Sequence, residues 1–307
     1  MYTQKPLISV VIPAYNEERY IKKTLFSLQK QIYPNFEVIV VDNQSTDHTA
    51  SLALAHGARV IYESRKGVAY ARQAGFLAAQ GSIIATTDAD TVVPPDWLSR
   101  IAKQFSRTKR TVGLTGVYYF SSGSLVSQLI IRMLWSWFGR AAWEFATIGG
   151  RRAFLIGSNC AVRKDAFMAC GGFNTDLAAL EDWDLGMRIR KLGRVKFDPS
   201  ILVCTSGRRF SHGFLPGLSH YAYNYIAWIV LKQPALTRFR DIRYERSAVG
   251  NAIAFTIAVC LCFFGYAALF RPQFVAQAKI MKTVGTQIKF VTTMVQTNVW
   301  KATKAPF

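Results

Sequence analysis

Four short runs of β-branched and apolar residues set the architecture: ISVVI (Ile8–Ile12), FEVIVV (Phe36–Val41), ARVIY (Ala58–Tyr62) and SIIAT (Ser82–Thr86), with stretches of helical periodicity such as EERYIKKTLFSLQKQ between them. Continuous apolar strands that alternate with helices must bury both faces, so the pattern predicts an α/β fold whose parallel sheet is covered by helices on both sides. Ligands of such sheets bind beyond the carboxyl ends of the strands. Three of those ends are polar: PAYNEE follows the first run, DNQSTD the second and DADT the fourth. Together they describe a pocket on one rim of the sheet. No G-x-G-x-x-G dinucleotide fingerprint and no G-x-x-x-x-G-K-[ST] phosphate loop occurs, which removes hydride transfer and P-loop chemistry from the candidate functions.

DADT carries the chemistry of that rim. In an extended segment, residues i and i+2 point the same way, so Asp88 and Asp90 are expected to present two carboxylates on one side with Ala89 turned elsewhere. Two like charges held so close call for a cation. Hard oxygen ligands suit Mg2+ or Mn2+, ions that complete their shells with water and substrate phosphates. The four histidines, His48, His56, His212 and His220, have neither metal-ligand spacing nor a serine elbow to serve. The five cysteines, Cys160, Cys170, Cys204, Cys260 and Cys262, show no metal spacing and no paired framework, so reduced thiols are expected.

Charge and hydropathy divide the chain. Lys and Arg number 38 against 18 Asp and Glu, and the stretch from Arg208 to Phe307 holds thirteen basic residues and two acidic ones, so an anionic partner is expected there. SAVGNAIAFTIAVCLCFFGYAALF (Ser247–Phe270) is 24 residues without a charge, bracketed by Arg246 and Arg271. A bilayer's hydrocarbon core needs about 20 apolar residues, so this segment is expected to span or re-enter a membrane. After Pro272 the apolar residues recur at three- and four-residue spacings among lysines and no acids, as in an interfacial amphipathic helix. Residues 124–149 hold three of the seven tryptophans and are expected to form an aromatic amphipathic insertion. Lipid accounts for the basic excess, and no nucleic-acid-binding motif is present. MYTQKPLISVVIP lacks the plan of a secretory signal, so export of the main domain is not expected.

ISVVIPAYNEERYIKKTLFSL, FEVIVVDNQSTDHT, GVAYARQAG, ATTDADT and LEDWDLGMRIRKLG, taken in that order, resemble the family 2 glycosyltransferases over about Ile8 to Phe210. The resemblance implies the Rossmann-like nucleotide-sugar-binding fold known as GT-A for residues 1–210; beyond it, charge and hydropathy give a basic, aromatic connecting segment at 211–246, the apolar helix at 247–270 and the basic tail at 271–307. It implies that Pro13, Ala14, Tyr15 and Glu17 line a nucleoside pocket, that Asp42 receives the imino hydrogen of the base, and that Asp47 belongs to the same loop. An ionised carboxylate is a good acceptor for the N–H of uracil or guanine. Gly67 and Arg72 are placed at the ribose and phosphates, Asp90 and Asp88 at the metal, and Gly157 and Asn159 beside the sugar. Arg208 and Arg209 stand where relatives close an arginine-bearing loop over the diphosphate, although TSGRRF departs from the Q-x-x-R-W form of processive polysaccharide synthases.

The resemblance assigns Glu181 and Asp182 to the catalytic centre, with Asp182 as the general base that a hydroxyl acceptor requires. Asp184 is expected to cap the helix that begins there. The implied reaction is inverting, metal-dependent transfer from a nucleotide-diphosphate sugar, a UDP-sugar by family frequency or a GDP-sugar, to a lipid-linked or glycan acceptor at the cytoplasmic face of a membrane. Transfer to a polyprenyl phosphate, as in dolichol-phosphate-sugar synthases, is the alternative, since an ionised phosphate needs no base. A nucleotidyltransferase would carry a glycine-rich first loop where PAYNEE stands, and an inactive membrane scaffold would not keep these acids.

Overall fold

The structure, a computed structural model, describes residues 5–121, 153–177 and 179–208. Strands β1 (Ile8–Ala14), β2 (Phe36–Asp42), β3 (Arg59–Tyr62) and β4 (Ile83–Thr86) pair in parallel in the order β3-β2-β1-β4. The helices α1 (Ile21–Gln29), α2 (Thr49–Ala55) and α3 (Val68–Ala78) connect them in turn. These four strands are the runs visible in the sequence.

Beyond β4 the sheet continues through β7 (Cys160–Arg163), β6 (Thr111–Phe120), β8 (Arg194–Thr205) and β5 (Thr91–Val92). Here β7 is antiparallel to both β4 and β6, and β5 is antiparallel to β8. The expected parallel sheet is therefore mixed. Antiparallel neighbours need no helical crossover between them, so the spacing that exposes the first four strands is missing from this half. Three more helices pack on the sheet: α4 (Trp97–Ser106), α5 (Lys164–Ala169) and α6 (Glu181–Ile189).

Strand residues are buried on both faces. Ile8, Val10 and Ile12 of β1 pack with Leu25 and Leu28 of α1 and with Trp97, Ile101 and Phe105 of α4. Val11 of the same strand joins Ile39, Val41, Phe76 of α3, Phe167 of α5 and Leu185 of α6 on the other face. Each such side chain contributes about 1.5–3 kcal/mol on burial, which fixes the sheet and therefore the rim. The register places Asp42 opposite Ala14, so the loops after β1 and β2 leave the sheet side by side.

Among the described residues no helix is long and apolar enough to cross a membrane. The insertion at 124–149, the segments at 211–246 and 271–307, the apolar stretch at 247–270 and Arg209 lie outside the described residues.

Candidate active site

The first two loops are knitted together by short polar side chains. Asn16 adopts φ 53°, and its N–H donates to Ser45 Oγ at 2.9 Å while its Oδ1 accepts from the Thr46 N–H at 2.7 Å. The Glu17 N–H donates to Thr49 Oγ1 at 2.7 Å. Asp47 accepts from the N–H groups of Glu18 and Thr49 and from the Thr49 hydroxyl. Burial alone would raise its carboxyl, but those donors outweigh burial and hold it below its ordinary range. Asp47 is thus placed as a knot between the loops.

Asp42 ends β2 nearly buried, with one carboxylate oxygen accepting from the Ser45 N–H at 3.3 Å. Its neighbour Asn43, which carries no signal in the sequence beyond its place in DNQSTD, donates to the carbonyls of Glu63 and Arg65 and accepts from the Gly67 N–H at 2.7 Å. That clamp sets the loop before α3. Gly67 precedes the helix at φ 150°, a conformation that side-chain-bearing residues rarely adopt. Lys66 donates to the Tyr15 hydroxyl at 2.8 Å and lies 4.2 Å from the centre of its ring, closing one side of the rim.

DADT is a turn, contrary to the extended geometry expected of it. The Thr91 N–H donates to the Asp88 carbonyl at 3.1 Å, and Thr24 of α1 donates to the Ala89 carbonyl at 2.8 Å. The two carboxylates are held by different arginines. Asp90 accepts from Thr205 Oγ1 at 3.2 Å and lies 3.1 Å from Arg208 Nη2. Arg208 is also forked onto Glu17, with Nη1 2.8 Å from Oε2, and stands 4.7 Å from the Tyr20 ring centre. Asp88 pairs at 2.9 Å with Arg72 Nη2, whose Nη1 donates to Glu181. Arg72 is therefore neither on the open surface nor free to reach out to a phosphate: it is 5 % exposed and shared between two acids.

Those acids bring the start of α6 to the turn. Asp182 Oδ2 accepts from the Gly157 N–H at 2.6 Å and Oδ1 from the Trp183 N–H at 2.9 Å. Burial pushes its carboxyl up to about 7, and Glu181 adds to the rise against the opposing pull of Arg72 and the two N–H donors. A half-buried carboxyl with that value can ionise and accept a proton near neutrality. A Cβ on Gly157 would stand 2.3–2.4 Å from three guanidinium atoms of Arg72, so only glycine lets the backbone lie against that group. Cys160 is buried beside the same cluster, and burial raises its thiol far above the range of a nucleophile. Asp184, expected as a cap, instead pairs with Arg188 one turn on, at 2.6 Å.

Asn159 departs from its expected place beside the sugar. It is fully buried, its amide donates to the carbonyls of Val117 and Ile201, and its Oδ1 accepts from Trp97 Nε1 at 3.0 Å. It braces β6, β8 and α4 in the core. Asn159→Ala would strand all three partners, and the expected cost is roughly 3 kcal/mol. For a chain of this size that lowers Tm by about 6–12 °C in a thermal melt.

Among the described residues no group of three or more His, Cys, Asp or Glu could enclose a metal ion. Asp88 and Asp90 supply two hard carboxylates on one turn, the donor set of a cation that takes its remaining ligands from water and phosphate. Asp90 already faces a cation, the Arg208 guanidinium. The residues fit a Mg2+ or Mn2+ ion that arrives with a diphosphate.

A family model described as "Glycosyl transferase family 2" matches residues 9–171. Glycosyltransferase GlyG of Streptococcus pneumoniae is 33% identical over 119 residues, which cover 37% of this chain and 39% of GlyG. The chain spans from 30% to 50% of the lengths of such curated relatives. Among solved structures, the mannosyltransferase PcManGT from Pyrobaculum calidifontis, in complex with GDP-Man and Mn2+, is similar with a TM-score of 0.59 at 20% identity, over 97% of this chain and 88% of that one. Glucosyl-3-phosphoglycerate synthase from Mycobacterium tuberculosis, in complex with Mn2+, UDP and glucosyl-3-phosphoglycerate, is similar with a TM-score of 0.53 at 23% identity, over 74% of this chain and 80% of that one. At these identities the two structures share the fold.

Proposed function

The chain belongs to glycosyl transferase family 2, and on that premise we propose that it transfers a sugar, with inversion and with a divalent cation, from a nucleotide-diphosphate sugar to a hydroxyl of a membrane-linked acceptor. One observation carries this: the polar ends of β1, β2 and β4 converge with the first turn of α6, so that Asp42, the Asp88–Asp90 turn and Asp182 belong to one rim. The complexes of PcManGT with GDP-Man and Mn2+ and of the synthase with UDP and Mn2+ support a nucleotide donor and a cation. UDP is favoured here by family frequency, with GDP the other candidate.

In the reaction, Asp42 accepts the imino N–H of the base. Asp90 and Asp88 would hold the ion, which supplies neutralisation of the diphosphate when bound. Arg208 is positioned beside Asp90 to exchange Glu17 for the departing diphosphate and to stabilise its charge. Asp182 takes the proton of the acceptor hydroxyl, and the oxygen attacks the anomeric carbon from the face opposite the leaving group. The raised Asp182 carboxyl favours a hydroxyl acceptor over a polyprenyl phosphate, whose oxygen has no proton to lose. The uncharged segment at 247–270 and the basic residues around it support a lipid-linked acceptor, with the catalytic residues on the cytoplasmic side where nucleotide sugars are made.

A panel of UDP- and GDP-sugars, assayed with Mn2+ or Mg2+ for release of the nucleoside diphosphate, tests the proposal. Release from one donor that depends on the cation and accelerates with a glycolipid hydroxyl acceptor is the expected result. No release from any donor over hours, or release indifferent to chelation, would contradict it.

A further inference from the structure

Arg72 draws together two parts of the site that the chain keeps far apart. Asp88 lies 16 residues from it in sequence and Glu181 lies 109, yet Nη2 pairs with the first at 2.9 Å and Nη1 with the second. Its side chain is 6 % exposed and that of Glu181 5 %. Only Nε of Arg72 lacks a partner, so the two carboxylates set where the guanidinium lies. Gly157 sits so close to that guanidinium that a Cβ there would collide with it, and it donates its N–H to Asp182. One planar cation therefore touches the acidic turn, the first residue of α6, and the glycine that holds the carboxylate next to it.

The entry to α6 shows what such a tie is for. Leu180, just before the helix, adopts φ 64° and ψ 24°, the left-handed region that costs a leucine energy, and no side chain caps the helix there. Such a conformation persists only where the surroundings hold it. Glu181, the next residue, is the one that Arg72 grips.

We propose that Arg72 is the positioning residue of the centre: a buried guanidinium that ties the Asp88–Asp90 turn to the start of α6 and so fixes the Asp182 carboxylate relative to the donor. This rests on the reaction assigned above, in which Asp182 is the base. Arg72 itself touches neither donor nor acceptor. A lysine cannot replace it, because one ammonium does not span two carboxylates in a fixed fork. The titratable groups that face Asp182 are Glu181 of its own helix, Arg72 of α3 and Cys160 of β7, with Asp88 beyond the guanidinium.

The test uses the full chain as Arg72→Met, Arg72→Lys and Glu181→Gln. Two quantities are measured: the titration midpoint of the Asp182 carboxyl in the unliganded protein, by 13C NMR assigned with Asp182→Asn, and the kinetics of donor turnover. Arg72→Met is expected to move the midpoint up by about one pH unit and Glu181→Gln to move it down, since they delete neighbouring charges of opposite sign. Both should lower kcat by about 10- to 100-fold through misplacement of the base, with the donor KM held within about threefold. Arg72→Lys should not restore kcat. Glu181→Gln preserves the shape of the site, so it decides the matter if Arg72→Met fails to fold. An Asp182 midpoint unmoved in the variants, full activity in Arg72→Lys, or a rise in donor KM with kcat unchanged would overturn the proposal, the last by making Arg72 a donor contact. If the midpoint moves as described while the wild type turns over no nucleotide sugar, the tie stands and the assigned reaction fails.

Discussion

Asp182→Asn is expected to lower transfer to a hydroxyl acceptor by about 10³-fold, within the range that a positioned general base supplies. The amide keeps the size of the side chain but only one acceptor oxygen, so one of the Gly157 and Trp183 N–H groups loses its partner; the fold should lose about 1–3 kcal/mol, a modest fall in Tm beside the collapse of kcat. Binding of the nucleotide should survive, because Asp182 bonds only to the Gly157 and Trp183 N–H groups and has no part in the Asp42 or Asp90 contacts. The pH profile of the wild type carries the same information. Asp182 must be ionised to accept a proton, and its ionised fraction rises with pH through about 7. The rate should therefore fall tenfold per unit below that value, whereas a base at the ordinary aspartate pKa of about 3.9 would give a flat rate well below pH 6. Activity in Asp182→Asn within a few fold of wild type would instead favour a phosphate acceptor.

Asp90→Ala carries the second large effect. In the proposed reaction Asp90 is a ligand of the cation on the diphosphate, so on that reading its removal should drop turnover by about 10²- to 10³-fold, the size of the loss when charge stabilisation is removed from a preorganised site. The fold should tolerate the change. Arg208 keeps both of its bonds to Glu17 and its place beside the Tyr20 ring, so no buried charge is stranded. Chelation of the wild type should reproduce the defect, and chelation of Asp90→Ala should add little to it. Comparing the two by activity, with a thermal melt to confirm folding, separates loss of the ion from loss of structure.

The half of the molecule that was legible in the sequence is the half where one physical signal dominates. The first four strands are buried on both faces, so they appear as unbroken apolar runs, and their ends appear as the polar segments that break those runs. Of the remaining strands, β5 is two residues long, β7 is antiparallel to both its neighbours and passes directly into α5 without a loop, and β6 and β8, though parallel to each other, are separated in sequence by β7, α5 and α6, which breaks the strand-helix-strand spacing. The residues of the site were legible as types and not as contacts. Arg72 reads as a charge on a helix because the acid that buries it, Glu181, is 109 residues away, and Arg208 likewise meets Glu17 across 191 residues. Asn159 carries no sign of being a core brace, since its three partners come from three other elements. The DADT segment misled for a local reason: the Asp88 carbonyl closes a turn onto Thr91, which sends the two carboxylates to different arginines.

Calorimetric titration of the purified chain and of Asp90→Ala with UDP and with GDP, each with and without Mn2+, tests most directly whether this rim is a cation-assisted nucleotide-sugar site. The expected result is binding of one of the two nucleotides that strengthens with Mn2+ in the wild type and loses that Mn2+ dependence in Asp90→Ala. Equal, Mn2+-dependent binding by both proteins, or no binding of either nucleotide to the wild type, would contradict the assignment.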